Sequence, residues 1–370
     1  MGERSGRWFS PTRLRVARQR RGLQKKALAE LLRVSPAMVT LYEDGAKEPD
    51  PEVVQSLVWQ LRFPREFYCS SEFDGLRAEA VSFRARRSLT AQVRDKTLAS
   101  NEIASDIISP TFRSLVRLPE TDIPDLTGAD PEEAAQKVRD SWGLGQAPVP
   151  NVVHLLEAKG VEIYWLRELS PCLDAVSYWR NGKPFVTMNL GKAGERGRMD
   201  AAHELGHLVL HRHKTVEGKQ EEDEADRFAA AFLLPRNQFR QECPRLLNFS
   251  QLLQLKKRWK TSIGAMIYRG HELGIYSPWI YGKAYRELSA KGWRTNEPEA
   301  IEREHSSLQQ QIFDKLAGKG MTASEWESKL HLPWDDIEEL TPEATRLKVQ
   351  RLPTPQWSVS HLWLADGGMA

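Results

Sequence analysis

Apolar residues recur along this chain mainly at helical spacing, and the runs are cut at short intervals by capping residues. Ser10 followed by Pro11 reads as an N-cap and first helical position, and Gly22 closes that helix with a residue free to adopt positive φ. Ser35 with Pro36 opens another helix, ended by Gly45, and Asp50 with Pro51 opens a further one. Between Gly22 and Ser35 the positions Leu23, Ala27, Leu28, Leu31 and Leu32 keep helical spacing and predict an inward face. Residues 69–145 are polar and helix-rich. Their clearest element starts at Asp130, Pro131 and Glu133, while Pro119–Gly128 has the composition of a loop and offers a hinge. Farther on, Phe185–Leu190 reads as a strand, and Arg198–Leu210 and EEDEADRFAAAFLLP as helices. Residues 236–285 read as packed helices, with a stripe of Leu252, Leu253, Leu255 and Trp259 and a cap at Thr261 or Ser262. Beyond Trp293 come short amphipathic helices and the tail SVSHLWLADGG, where Trp363 suits either docking or disorder.

These elements predict an α+β fold, mostly helical. It comprises an N-terminal five-helix bundle over 1–68, a helical linker over 69–145, a domain over 146–285 with a small sheet, and a helical C-terminal region over 286–370. A chain of 370 residues is too long for one ordinary core, which agrees with several domains. With 40% hydrophobic and 28% charged residues the composition is globular. No apolar run approaches the roughly 20 residues of a membrane helix. The N-terminus lacks the pattern of a signal peptide, so a cytoplasmic location without a membrane partner is expected. Cys69, Cys172 and Cys243 are far apart and odd in number, as reduced thiols would be.

The net charge of +3 is unevenly spread: residues 1–34 hold ten Arg or Lys against Glu3 and Glu30. That excess suits a polyanion partner, or simply a solvated basic face. The same region reads RxRRGLQKKALAELLRVSPAMVTLYEDGAKEP and resembles the XRE (Cro/repressor-like) helix-turn-helix family. The resemblance implies binding to double-stranded DNA, with Ser35–Tyr42 as the recognition helix and Gln24, Lys25, Ser35, Ala37, Met38 and Thr40 at the interface. Lys25 stands where the family usually has Gln. Ala37 and Met38 cannot form bidentate bonds to base edges, although Met38 suits a thymine methyl. Modules of this type commonly bind paired half-sites as dimers, so a homodimer is a further expectation.

The strongest chemical signal is HELGH. His203 and His207, at i and i+4, leave one face of a helix and can take two corners of a tetrahedral metal site. Glu204 lies beside them, placed to take a proton from water activated there and to deliver it to a leaving amine. On the next helix Glu222 and Asp226 are one turn apart, as needed for a third ligand and a carboxylate that orients a ligand histidine. Glu221 and Glu224 are rivals to Glu222. His213 stands at a third-ligand distance, but Leu210 occupies the place of the glycine that such a turn requires, and His211 would continue the row along the helix.

The segment MNLGKAGERGRMDAAHELGHLVLHRH with EEDEADRFAAAFLLP is similar to the ImmA/IrrE family of metallopeptidases. The flanks VSFRARRSLT, NVVHLLEAKGVEIYWL and LLQLKKRWKTSIGAMIYRGHELGIYS share the likeness. The resemblance implies a zincin-like domain holding Zn²⁺ on His203, His207 and Glu222, with Glu204 as the base, and a repressor or other regulatory protein as substrate. The stabiliser of the oxyanion is open among Tyr268, Arg269 and His271. Two non-enzymatic readings stand beside it: a regulator whose zinc domain senses a ligand, and an antitoxin-like scaffold that represses its own operon.

Overall fold

The computed structural model of the protein describes residues 8–76, 81–85, 89–167, 173–213 and 218–348. Cys172 and the tail around Trp363 lie outside these. The first five helices are α1 (Pro11–Arg20), α2 (Lys25–Leu32), α3 (Pro36–Glu43), α4 (Pro51–Leu61) and α5 (Arg65–Tyr68). Ser10 and Ser35 cap α1 and α3 by accepting the backbone N–H three residues on, with proline in the first turn of each. Arg33, in the left-handed region at φ 56°, makes the tight connection from α2 to α3. Leu28, Ala29 and Leu32 form the inward face of α2, while Leu31 is exposed, because the helix offers only a narrow stripe to the bundle.

The expected linker is not wholly helical. It contributes a strand, β1 (Val81–Ala85), before α6 (Ala91–Ile103), which continues through a π-helical turn into α7 (Ser109–Leu115). Then come α8 (Pro131–Ser141), α9 (Val152–Ala158), β2 (Glu162–Leu166), β3 (Leu173–Arg180) and β4 (Lys183–Asn189). The sheet order is β1-β3-β4-β2, with β2 and β4 parallel and the other pairs antiparallel. Asn181 and Gly182, at φ 51° and 72°, form the two-residue turn of the β3–β4 hairpin, where both positions require positive φ. The segment Pro119–Gly128 is tied to more distant parts of the chain: Asp122 N–H donates to Lys159 O, just past α9, and Leu126 N–H to Val209 O, each at 3.0 Å.

Alternation along the strands divides the interior. Ile163, Trp165, Val186 and Met188 face α10 (Gly194–Leu210) and α11 (Lys219–Leu233) in one core. That core also takes in residues of α12 (Arg236–Glu242), α13 (Phe249–Trp259), α14 (Ile263–Glu272) and α15 (Pro278–Ala290), where Ser262 caps α14. Tyr164, Leu166, Tyr178 and Phe185 face the other way, into a core shared with α1–α7, α16 (Ser307–Gly318), α17 (Ala323–Leu330) and α18 (Trp334–Leu340). The sheet is therefore covered on both faces.

The N-terminal arginines are largely spent on this packing. Arg13 donates to Ser71 O and lies over the Phe67 and Phe73 rings, Arg15 pairs with Glu102, and Arg18 pairs with Glu43. Arg20 and Arg21 both bond Asp336 on α18, and Arg20 also bonds Glu339, whose other oxygen accepts from Arg167 N–H just past β2. Among the described residues of this basic run the arginines of α1 and Arg21 are thus mainly engaged inside, while Lys26 and Arg33, and Lys47 beyond the run, are exposed cations.

Burial disfavours the Asp336 carboxylate, but the Arg20 and Arg21 charges overcome it and hold its pKa below the ordinary value. A depressed folded-state pKa stabilises above the unfolded value, and that contribution is lost as pH falls through the carboxylate range. Asp336→Ala should destabilise the protein by about 3–5 kcal/mol, because it removes the carboxylate that two arginines share and leaves the buried Arg20 with Glu339 alone. Urea unfolding at neutral pH measures this, and a loss under about 1 kcal/mol, the scale of an exposed pair, would show that the contact is not a buried pair.

Candidate metal centre and nucleic-acid face

The helix itself positions His203 and His207: one turn apart, their ring centres lie 4.7 Å from each other and their Nε2 atoms 3.0 Å. Glu222, in the first turn of α11, closes a triangle, with its oxygens 3.4 Å from His203 Nε2 and 3.3 Å from His207 Nε2. Donors about 2.0–2.1 Å from a tetrahedral zinc lie roughly 3.3 Å from one another. The Nε2–Nε2 separation and the distance from each Nε2 to one of the two Glu222 oxygens are of that size, and two imidazoles with a carboxylate are a donor set that zinc takes while leaving a position for water. The residues present fit the ion.

His203, Glu204 and His207 are 1%, 0% and 3% exposed, whereas the Glu222 side chain keeps 34% of its surface. Burial pushes the His207 imidazole down to about 3, which keeps it neutral and able to donate a lone pair. For Glu222 burial opposes ionisation, yet the His203 and His207 rings beside it hold its carboxyl well below the usual range. Asp226 Oδ1 lies 2.8 Å from His203 Nδ1, where accepting the ring N–H turns Nε2 toward His207 and Glu222.

Of the other candidates, Glu224 meets His211 at 2.9 Å and His213 turns away to Asp125 at 2.6 Å. Arg269 is committed to the Glu132 carboxylate and Leu234 O, and His271 to Tyr276 O and the Tyr281 ring. Tyr268 is half-buried. Its pKa is raised by burial and further by the charges of Glu272 and Asp226, so the phenol keeps its proton.

In the N-terminal bundle Ser35 and, on α3, Pro36, Ala37 and Leu41 are exposed. Ser35 is occupied as the N-cap, and the Thr40 hydroxyl donates to Pro36 O while accepting from Lys25 Nζ at 3.3 Å. Lys25 also stands 3.5 Å from Glu43, Gln24 is exposed at the start of α2, and Met38 is half-buried against the bundle core rather than projecting outward. The outer surface of α3 is thus mostly apolar.

Residues 157–271 match the family described as the IrrE N-terminal-like domain, and residues 12–66 match a helix-turn-helix domain. The chain thus carries a helix-turn-helix domain followed by a domain similar to the IrrE N-terminal-like family. No curated protein matches the chain. Among the described residues no helix is long and apolar enough to cross a membrane.

In the IrrE-like domain Gly206, the fourth residue of HELGH, plays a part that sequence reasoning overlooked. A Cβ there would stand 3.2 Å from Ala225 Cα and from Phe228 Cδ1, so the glycine lets α11 lie against α10 and bring Glu222 to the histidines. The signal was available, since a glycine inside a helix costs about 1 kcal/mol relative to alanine and calls for a packing reason. Gly206→Val should push the helices apart and sharply reduce zinc uptake, as read by elemental analysis. Full zinc content in that variant would show that the approach of α11 is not limiting.

Proposed function

We propose that the protein is a DNA-bound zinc endopeptidase that cleaves a regulatory protein, a repressor being the first candidate, to change transcription. The convergence of His203, His207 and Glu222 beside the buried Glu204 carries this reading. Zinc at this site supplies a Lewis acid that activates water and polarises the scissile carbonyl.

The chain's own residues would do the rest. His203, His207 and Glu222 hold the ion, and Asp226 fixes the His203 ring so that Nε2 faces inward. Glu204 takes the proton of the attacking water and returns it to the departing amine. Tyr268, with its proton retained and both neighbouring candidates otherwise engaged, is the group we assign to the developing oxyanion. The burial of Glu204 means that a substrate must approach from the side of Glu222 and Asp226, whose side chains are the accessible members of the cluster.

On DNA, the apolar outer surface of α3 suits contacts to thymine methyl groups and the backbone more than bidentate readout, with Lys26, Arg33 and Lys47 meeting phosphates. Because XRE-type modules bind paired half-sites, the DNA-bound form is proposed to be a homodimer.

Glu204→Gln should retain zinc and lower the cleavage rate by about 10²–10⁴-fold, the usual worth of a general base. Glu222→Ala should lose zinc as well as activity. Incubation with the repressor under test, followed by gel analysis and metal content, separates the two roles; undiminished cleavage by Glu204→Gln would remove it from the mechanism. Zinc bound without cleavage in wild-type protein would favour a sensor.

Charge reversal at Lys25 and Lys26 together should weaken DNA binding and flatten the dependence of log K on log salt by about 0.9 for each phosphate no longer neutralised. Bound zinc should not change. Unaltered affinity and slope would move the phosphate-binding residues elsewhere.

A further inference from the structure

His207 does not end at the metal centre. Its Nδ1 lies 3.0 Å from Nδ1 of His211, one turn farther along α10, and His211 Nε2 lies 2.9 Å from Glu224 Oε2 on α11. The other Glu224 oxygen accepts from the Gln220 amide at 2.8 Å. His211 itself is buried, 3% exposed, although it sits at the C-cap of α10 next to an exposed turn. A buried histidine needs partners for both ring nitrogens, and here both partners point one way along a chain.

Hydrogen-bond logic fixes the direction of that chain. Both Glu224 oxygens sit as acceptors, one from the Gln220 amide and one facing His211 Nε2, so the His211 proton belongs on Nε2. His211 Nδ1 is then a bare lone pair and accepts the Nδ1–H of His207. His207 in turn keeps its lone pair on Nε2, the atom that faces His203 Nε2 and Glu222. The opposite tautomer at any point would set two N–H groups or two lone pairs against each other. His211 cannot be a ligand itself, because its near nitrogen faces the side of the His207 ring remote from the donor triangle.

We infer that His211 is a positioning residue for the metal: with Glu224 it forms a carboxylate–histidine relay that holds His207 in the metal-binding tautomer, as Asp226 holds His203 directly. The two ligand histidines are thus oriented by two carboxylates of the same helix, one in contact and one through an inserted imidazole. This rests on the zinc reading of the site, and it adds His211, Glu224 and Gln220 to the residues on which the ion depends.

The test is zinc affinity of the full-length protein by chelator competition, with thermal unfolding of the apo-protein as a check on folding. His211→Leu fills the space but offers no acceptor to His207, and should weaken zinc binding by about 10–100-fold, the usual effect of losing such a partner. His211→Asn places an amide oxygen close to the position of Nδ1 and should return the affinity to near the wild-type value. Glu224→Ala, at a partly exposed side chain, should also lower it.

Equal affinity in His211→Leu and wild type, or an Asn variant as weak as Leu, would overturn the relay while leaving the zinc reading intact. If His211→Leu fails to fold, unchanged affinity in Glu224→Ala overturns it instead. Wild-type protein that takes up no zinc would overturn both.

Discussion

The approach of α11 to α10 at Gly206 sets the distance between Glu222 and the two histidines, and through it the size of the donor triangle. A side chain there would meet the Ala225 backbone and the Phe228 ring, so the residue between Glu204 and His207 is fixed by packing as firmly as its neighbours are by chemistry. The same helix pairing delivers Asp226 to His203 and Glu224 to His211. Three carboxylates within two turns of α11 therefore act on three histidines within three turns of α10. This is economical because i, i+4 rows on two adjacent helices face each other along their length.

The rest of the molecule holds this pair against a sheet buried on both faces. Arg198, five residues before His203, pairs with Glu304, whose other oxygen caps α9 by accepting from Val152 and Val153 N–H. Glu157 at the end of α9 accepts from Ser307 and Leu308 N–H at the start of α16. From α18, Asp336 and Glu339 reach Arg20 and Arg21 of the helix-turn-helix domain. Polar contacts thus tie the helix that carries the two histidines to α9 and α9 to α16, and others tie α18 to the helix-turn-helix domain.

Much of this was legible in the sequence where the information is local. Ser–Pro caps, the glycines at positive φ, the i, i+4 histidines and the Glu222/Asp226 pair depend on neighbours within one turn, and the helices that carry them lie close to where periodicity puts them. What depends on distant partners was not legible. β1 pairs Val81 with Tyr178, almost a hundred residues on. The arginines of α1 resemble a polyanion-binding run until Glu102, Asp336 and Glu339 are seen to neutralise them from 87 to 319 residues away. His211 was visible as the next member of a row, but its partner Glu224 lies on another helix and looked like a rival ligand.

The most direct test of the account is the metal content of the purified protein, measured by elemental mass spectrometry beside His207→Ala. The donor triangle requires one zinc per chain in the wild type and its loss in the variant, with the fold retained. An absence of zinc in the wild type after exposure to the metal, or full zinc in His207→Ala, would contradict a metal site built on α10 and α11.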